Sequence, residues 1–110
     1  MINIKPLNIK AEKIEGILGK MRGLMFSRKR NLIFVFKRER RTGIHMLFVF
    51  FPLIVVWIDE KKKIMAFRKM LPFCSFHEAK AKYVLEIPYD KRIFKKISKL
   101  KSLNFSVGCI

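Results

Sequence analysis

The chain has 110 residues, of which 51% are hydrophobic, including eleven phenylalanines. This composition excludes an intrinsically disordered chain and predicts one domain, residues 1–110, with a modest core. Lysine and arginine number 25 against 8 acidic residues, a net charge of +17 that favours polyanionic partners: nucleic acid, anionic lipid or acidic polysaccharide. The alternative explanation for the excess of basic residues is that the surface charge keeps the protein soluble.

The N-terminal half predicts a strand, a helix and a second strand. Residues 2–9 alternate apolar and polar side chains around Pro6, which is typical of an edge strand interrupted at the proline. Apolar residues in 11–26 recur at helical spacing and predict a helix that ends near Gly23. Residues 32–36, LIFVF, predict a short apolar strand, and the following KRERRTG predicts a polar turn or loop.

Residues 44–58 are the most apolar part of the chain and carry no charge. They number fifteen, fewer than the about 20 that a transmembrane helix needs, and Pro52 lies inside the run. Five β-branched residues follow His45, which favours strands. We therefore expect two buried strands that meet at FFP, and no transmembrane span. Membrane association through exposed phenylalanines is the alternative.

The C-terminal half predicts strands followed by a helix. Residues 64–70 form a returning strand after the charged turn DEKKK, and residues 80–88 alternate so that Glu86 opposes the main apolar side. Asp90 is a suitable N-cap for a helix over residues 91–102. The whole pattern predicts a mostly β fold, a β-barrel or sandwich that is largely antiparallel, with about two short helices.

Four blocks occur in a fixed order: GLMFSRK at residues 23–29, LIFVF at 32–36, HM…PL…ID within 45–59, and YVLEIP at 83–88. In order and spacing they resemble the family called domain of unknown function 192, or UPF 0127, over about residues 11–107. The chain is similar to divergent, archaeal-type members. The resemblance implies a compact β-barrel-like or sandwich fold with short helices, and no known reaction.

The chain departs from the family pattern around its third block. His45 stands where the family has tryptophan, Phe48 and Val49 replace asparagine and threonine, and Ile54 replaces aspartate. The polar residues of that motif are therefore missing, whereas the glutamate of the YVLE block matches. The candidate pocket residues that are left are Glu86, His45 and Met46.

Patterns for catalysis, metal binding and export are weak. The eight acids are scattered, and Cys74-x-x-His77 lacks both a second ligand pair for zinc and a third partner for a catalytic triad. Two cysteines suggest free thiols, with a single Cys74–Cys109 bridge as the alternative. Residues 1–16 show no signal peptide. We expect no cofactor, metal or catalytic residue, and a cytoplasmic location.

Residues 28–41 hold seven basic residues and one acidic residue. Cations with nearby aromatic rings can bind phosphates and stack bases, although solvated loop ends give the same pattern. The candidate anion-binding residues are Arg28, Lys29, Arg30, Arg38, Arg40 and Arg41. We expect a non-catalytic binding module for an anionic ligand or partner. The alternatives are a nucleic-acid-binding protein that uses residues 28–41, and a hydrolase or transferase with a pocket around Glu86.

Overall fold

The computed structural model describes residues 2–15, 31–45, 51–71 and 76–106. These residues form six strands and one helix, so the expected mostly β fold is confirmed. The elements are β1 (Ile2–Ile4), β2 (Ile9–Glu15), β3 (Leu32–His45), β4 (Leu53–Ile58), β5 (Ile64–Met70), β6 (Phe76–Pro88) and α1 (Lys91–Ile97).

All six strands belong to one sheet in the order β1-β2-β3-β6-β4-β5. Four of the five neighbouring pairs are antiparallel, which confirms a largely antiparallel arrangement. The pair β2–β3 is parallel, and sixteen residues separate the two strands, the length that a parallel connection needs. The strand order ends at β1 and β5, so the sheet is open and does not show the closed barrel that the sequence allowed.

Both faces of the central strands are apolar, because β3, β6 and β4 alternate side chains between two buried clusters. We call these clusters the helix-side core and the far-side core. The helix-side core includes Ile33, Val35, Ile54, Val56, Tyr83, Leu85 and Ile87. The far-side core includes Leu32, Phe34, Val55, Trp57 and Val84. Such two-sided burial explains why these strands read as continuous hydrophobic runs.

Helix α1 is fixed to the helix-side core by its apolar stripe. Ile97 is fully buried there, and Ile93, Phe94 and Leu100 are partly buried and pack against the same core. Asp90 caps the helix as expected: its carboxylate accepts from the backbone N–H groups of residues 92 and 93 at 2.8 and 3.2 Å. The helix ends at Ile97, earlier than the sequence suggested.

The segment after the helix joins the two edges of the sheet. Its residue Asn104 exchanges two backbone hydrogen bonds with Lys5, at 2.9 and 2.8 Å, just beyond the end of β1. Leu103 donates to the carbonyl of Lys62 at 3.0 Å, next to the start of β5. Leu103 and Phe105 also belong to the helix-side core, so this segment anchors α1 as well.

Two predicted elements are wrong. Residues 11–15 were expected to begin a helix, but they lie in β2, where pairing with β1 and β3 outweighs a helical stripe already weakened by glycines. The rest of that predicted helix lies outside the described residues. Residues 37–43 were expected to form a loop, but β3 runs through them because β6 extends far enough to pair with their second half.

The apolar run at residues 44–58 divides between two strands. Its last six residues are β4, and every one of them is buried, which confirms the predicted strand there. Its first two residues end β3, and residues 46–50 lie outside the described part. In the part of the chain that the structure describes, no helix is both long and apolar enough to cross a membrane.

Ile97→Ala tests how much the docked helix contributes to stability. Truncating this fully buried side chain should lower the free energy of unfolding by about 2–5 kcal/mol, because the core cannot close the cavity. Urea unfolding followed by circular dichroism measures the change. Met65→Ala is the control, since that side chain is 49% exposed and should change stability by less than about 0.5 kcal/mol. Equal effects of the two substitutions would contradict helix docking.

Candidate functional site

Glu86 lies on β6 in the middle of the sheet. Its backbone is opposite Leu32 on one side and Val55 on the other. Side chains at paired positions of a sheet point to the same face, and both of these partners belong to the far-side core. Glu86 therefore lies on the apolar face opposite α1, as its alternation with Leu85 and Ile87 predicted.

The environment of Glu86 disfavours its charged form. Glu86 is partly buried among apolar side chains, and this burial raises the pKa of its carboxyl group to about 7. No hydrogen bond or ion pair joins the carboxylate to any residue in the described ranges. No side-chain oxygen of the described residues is both buried and without a hydrogen-bond partner, so the carboxyl oxygens of Glu86 keep contact with solvent.

Of the other two candidate pocket residues, the structure describes the backbone of His45, which does not lie beside Glu86. His45 is opposite Phe76, ten positions from Glu86 along β6, and lies at the far end of the β3–β6 pair. Met46 lies outside the described residues. A pocket that contains all three side chains therefore stays a prediction.

The anion-binding candidates fall into two groups. Arg28, Lys29 and Arg30 lie outside the described residues. Arg38, Arg40 and Arg41, which we call the strand cations, lie on β3 and are exposed. The β3–β6 register is irregular between Val35 and Arg40, and the strand cations lie within this part of β3 or directly after it. The register places the strand cations well away from Glu86, which pairs with the first residue of β3.

Two of the strand cations have specific neighbours. The Arg41 Nε donates to the Glu78 carboxylate at 2.7 Å, across the β3–β6 pair. The Arg40 guanidinium carbon lies 5.3 Å from the centre of the Phe36 ring, a cation–π distance. In the ladder Arg40 is opposite Ala81 and Arg41 is opposite Lys80. Successive residues of a regular ladder point to opposite faces, so these two arginines do not share one face.

A second basic surface was not selected from the sequence. It comprises the exposed side chains of α1: Lys91, Arg92, Lys95 and Lys96, which we call the helix cations. Residues 91–101 contain six basic residues and no acidic one. The sequence did contain a pattern that predicts this surface: basic residues at helical spacing, opposite an apolar stripe.

Among the residues considered for metal binding, His77 has a described side chain. In the described ranges, no three His, Cys, Asp or Glu side chains are grouped as metal ligands are. His77 is partly buried, and its ring meets the edge of Trp57 at a centroid distance of 4.9 Å, so it packs on the far-side core. Cys74 and Cys109 lie outside the described residues.

Comparisons with known proteins identify the family. The chain matches the family DUF192, described as "Uncharacterized ACR", over residues 2–99. This match covers most of the chain and confirms the resemblance carried by the four sequence blocks. No curated protein matches.

Two crystal structures share the fold. One, from Novosphingobium aromaticivorans, is a protein of unknown function, with a TM-score of 0.77 and 14% identity over 96% of this chain and 82% of that one. The other, from Sinorhizobium meliloti, is described as a "putative transcription regulator", with a TM-score of 0.72 and 18% identity over 87% of this chain and 79% of that one. At these identities the likeness shows the fold alone.

The raised pKa of Glu86 predicts a pH dependence of stability. Between about pH 4.5 and pH 7 the folded state binds a proton that the unfolded state has lost, so stability from this group falls as the pH rises through that window. Glu86→Gln removes the effect. The free energy of unfolding of the variant, minus that of the wild type, should therefore increase by up to about 3 kcal/mol between pH 5 and pH 8.

Urea unfolding of both proteins across this pH range measures the difference. Glu60→Gln is the control, because Glu60 is exposed in the turn between β4 and β5 and the substitution removes the same charge. A difference for Glu86→Gln that stays constant with pH would show that its carboxyl group titrates normally.

Proposed function

We propose that this chain, which belongs to the DUF192 family, is a single-domain, non-catalytic binding module for a polyanion in the cytoplasm. The observation that carries the proposal is the exposed basic part of β3, where the strand cations and Lys37 all face solvent. The acidic residue among them, Glu39, is partly buried. The sequence adds three more cations just before this strand, Arg28, Lys29 and Arg30, which we include in the proposed surface.

The chemistry of these side chains suits phosphate and sulfate groups. Arginine presents a planar fork of N–H donors that matches two oxygens of an anion. The ring of Phe36 under Arg40 limits the orientations of that guanidinium and leaves less freedom to lose on binding. The net charge of +17 adds a long-range field that concentrates anions at the surface.

Nucleic acid, anionic lipid and acidic polysaccharide all satisfy this chemistry. Among them, nucleic acid agrees with the words "putative transcription regulator" used for the Sinorhizobium meliloti protein. Because the two chains share only the fold at 18% identity, the proposal rests on the charges of this chain instead.

A hydrolase or transferase centred on Glu86 is the second candidate. Its support is the pKa of about 7, which lies in the range that suits a general acid or base at neutral pH. It ranks second because no other titratable side chain in the described ranges is bonded to the carboxyl group.

A metabolite screen by thermal shift tests this second candidate. A compound that uses Glu86 should raise the melting temperature of the wild type and lose at least about half of that effect with Glu86→Gln. Compounds that stabilise both proteins equally, or none that stabilises the wild type, would remove the pocket from consideration.

The polyanion proposal predicts salt-dependent binding of labelled heparin. The wild type should bind at about 50 mM salt and weaken steeply by about 200 mM, because binding releases counterions. The strand variant Arg38→Gln with Arg40→Gln should reduce the slope of log K against log salt by about 2, one for each lost contact. Fluorescence anisotropy across the salt range gives both slopes.

The matched control is Lys5→Gln with Lys10→Gln, which removes the same charge from exposed positions around β1 and β2. It should lower the slope less than the strand variant does. Equal slopes for the two variants would argue against a site on β3. Failure of the wild type to bind heparin, duplex DNA and anionic vesicles at about 50 mM salt would refute the polyanion proposal itself.

A further inference from the structure

The helix cations form one continuous, outward-facing surface. In α1 the apolar residues Ile93 and Ile97 face the helix-side core, and Leu100 continues this stripe in the turn that follows. The basic residues occupy positions 91, 92, 95 and 96, which helical geometry places on the opposite side. Lys99 and Lys101 extend the charge along the segment that follows, and both are exposed.

These charges are available to a partner. None of the helix cations makes an ion pair with a residue in the described ranges, and residues 91–106 include no acidic side chain. The nearest acid along the chain, Asp90, uses its carboxylate to accept from the backbone of the first turn. By contrast, Arg41 on β3 is bound to Glu78, and Arg40 lies over Phe36.

Two of the helix cations occupy positions where a helix disfavours positive charge. The N-terminal end of a helix carries a partial positive charge and favours acidic residues. The first turn of α1 has no acidic residue and instead holds Lys91 and Arg92. Surface charge for solubility alone does not require cations at these positions. Residues that go against a local preference of this kind, with no gain in stability, are expected at functional sites.

The partner that fits this surface is the phosphate backbone of double-stranded nucleic acid. About 10 Å of helix presents the four helix cations, and about 10 Å of duplex axis carries about six phosphate charges. Five of the six basic residues in 91–101 are lysines, which contact phosphates as point charges and provide little base recognition. The contact therefore suits duplexes of any sequence.

A membrane surface fits less well. A helix that binds lipid inserts its apolar face between the headgroups, but the apolar face of α1 is buried against the sheet. The large apolar side chains that are exposed in the described ranges, Met65 and Leu71, lie in or just after β5 and not on the helix.

We propose that the helix cations are a sequence-independent contact surface for the phosphate backbone of duplex nucleic acid. This inference rests on the proposed polyanion-binding function and names both the partner and a surface distinct from the strand cations. Because α1 is capped by Asp90 and anchored through Ile97, the cations are held in place before binding.

The test measures binding of a labelled, mixed-sequence DNA duplex by anisotropy between about 50 and 200 mM salt. One variant is Lys91→Gln with Arg92→Gln, which removes the charges that oppose the helix dipole and should keep the fold intact. A second is Lys95→Gln with Lys96→Gln. Each should reduce the slope of log K against log salt by about 2 and weaken binding at least about tenfold at 100 mM salt. Glutamine is a good helix former, and circular dichroism confirms that α1 persists.

The control variant Lys5→Gln with Lys10→Gln removes the same charge and should lower the slope by less than half as much. Duplexes of unrelated sequence should bind the wild type within about threefold of each other. If the wild type binds DNA but the helix variants match the control, the helix surface is refuted while polyanion binding stands. Binding of heparin or anionic vesicles without binding of DNA refutes the nucleic-acid partner. Failure to bind any of the three probes refutes both proposals.

Discussion

The pairing of β6 with β3 on one side and β4 on the other fixes where Glu86 and the strand cations lie. Each of these strands buries alternate residues in two different clusters, so a slip of one residue would move every buried side chain to the wrong face. In the observed register Leu85 and Ile87 reach the core under α1, and Glu86 between them must point the other way. The position of this carboxylate is thus a consequence of packing the helix side correctly.

Packing alone does not explain why a glutamate occupies that position. Its neighbours across the sheet, Leu32 and Val55, are buried apolar residues, and burial raises its pKa to about 7. A carboxylic acid in such a place lowers stability near neutral pH relative to an apolar side chain of similar size. The basic first turn of α1 is a second feature with a local cost. At both places other residue types would be compatible with the fold and would not carry this cost in stability.

The sequence predicted the parts of the fold that depend on local patterns. Two-residue alternation identified β6 and the face of Glu86, and Asp90 with its apolar stripe identified α1, because each signal lies within a few adjacent residues. The failures have a different origin. Residues 11–15 are a strand because β1 and β3 supply partners from elsewhere in the chain, and residues 37–43 stay extended because β6 is long enough to reach them. Long-range pairing of this kind leaves no mark in a short window.

The difference between local patterns and long-range pairing also distinguishes the strand cations from the helix cations. Counting charges in residues 28–41 finds many cations, but it ignores the alternation that sends Arg40 and Arg41 to different faces and the Glu78 carboxylate that neutralises one of them. Along α1 the three-to-four residue period gathers the cations on one side, and burial of the other side fixes where they point. Glu86 lies on the opposite face of the sheet, so a polyanion held on α1 does not reach it. Loss of binding in the helix variants and loss of a pH effect in Glu86→Gln therefore report on separate parts of the molecule.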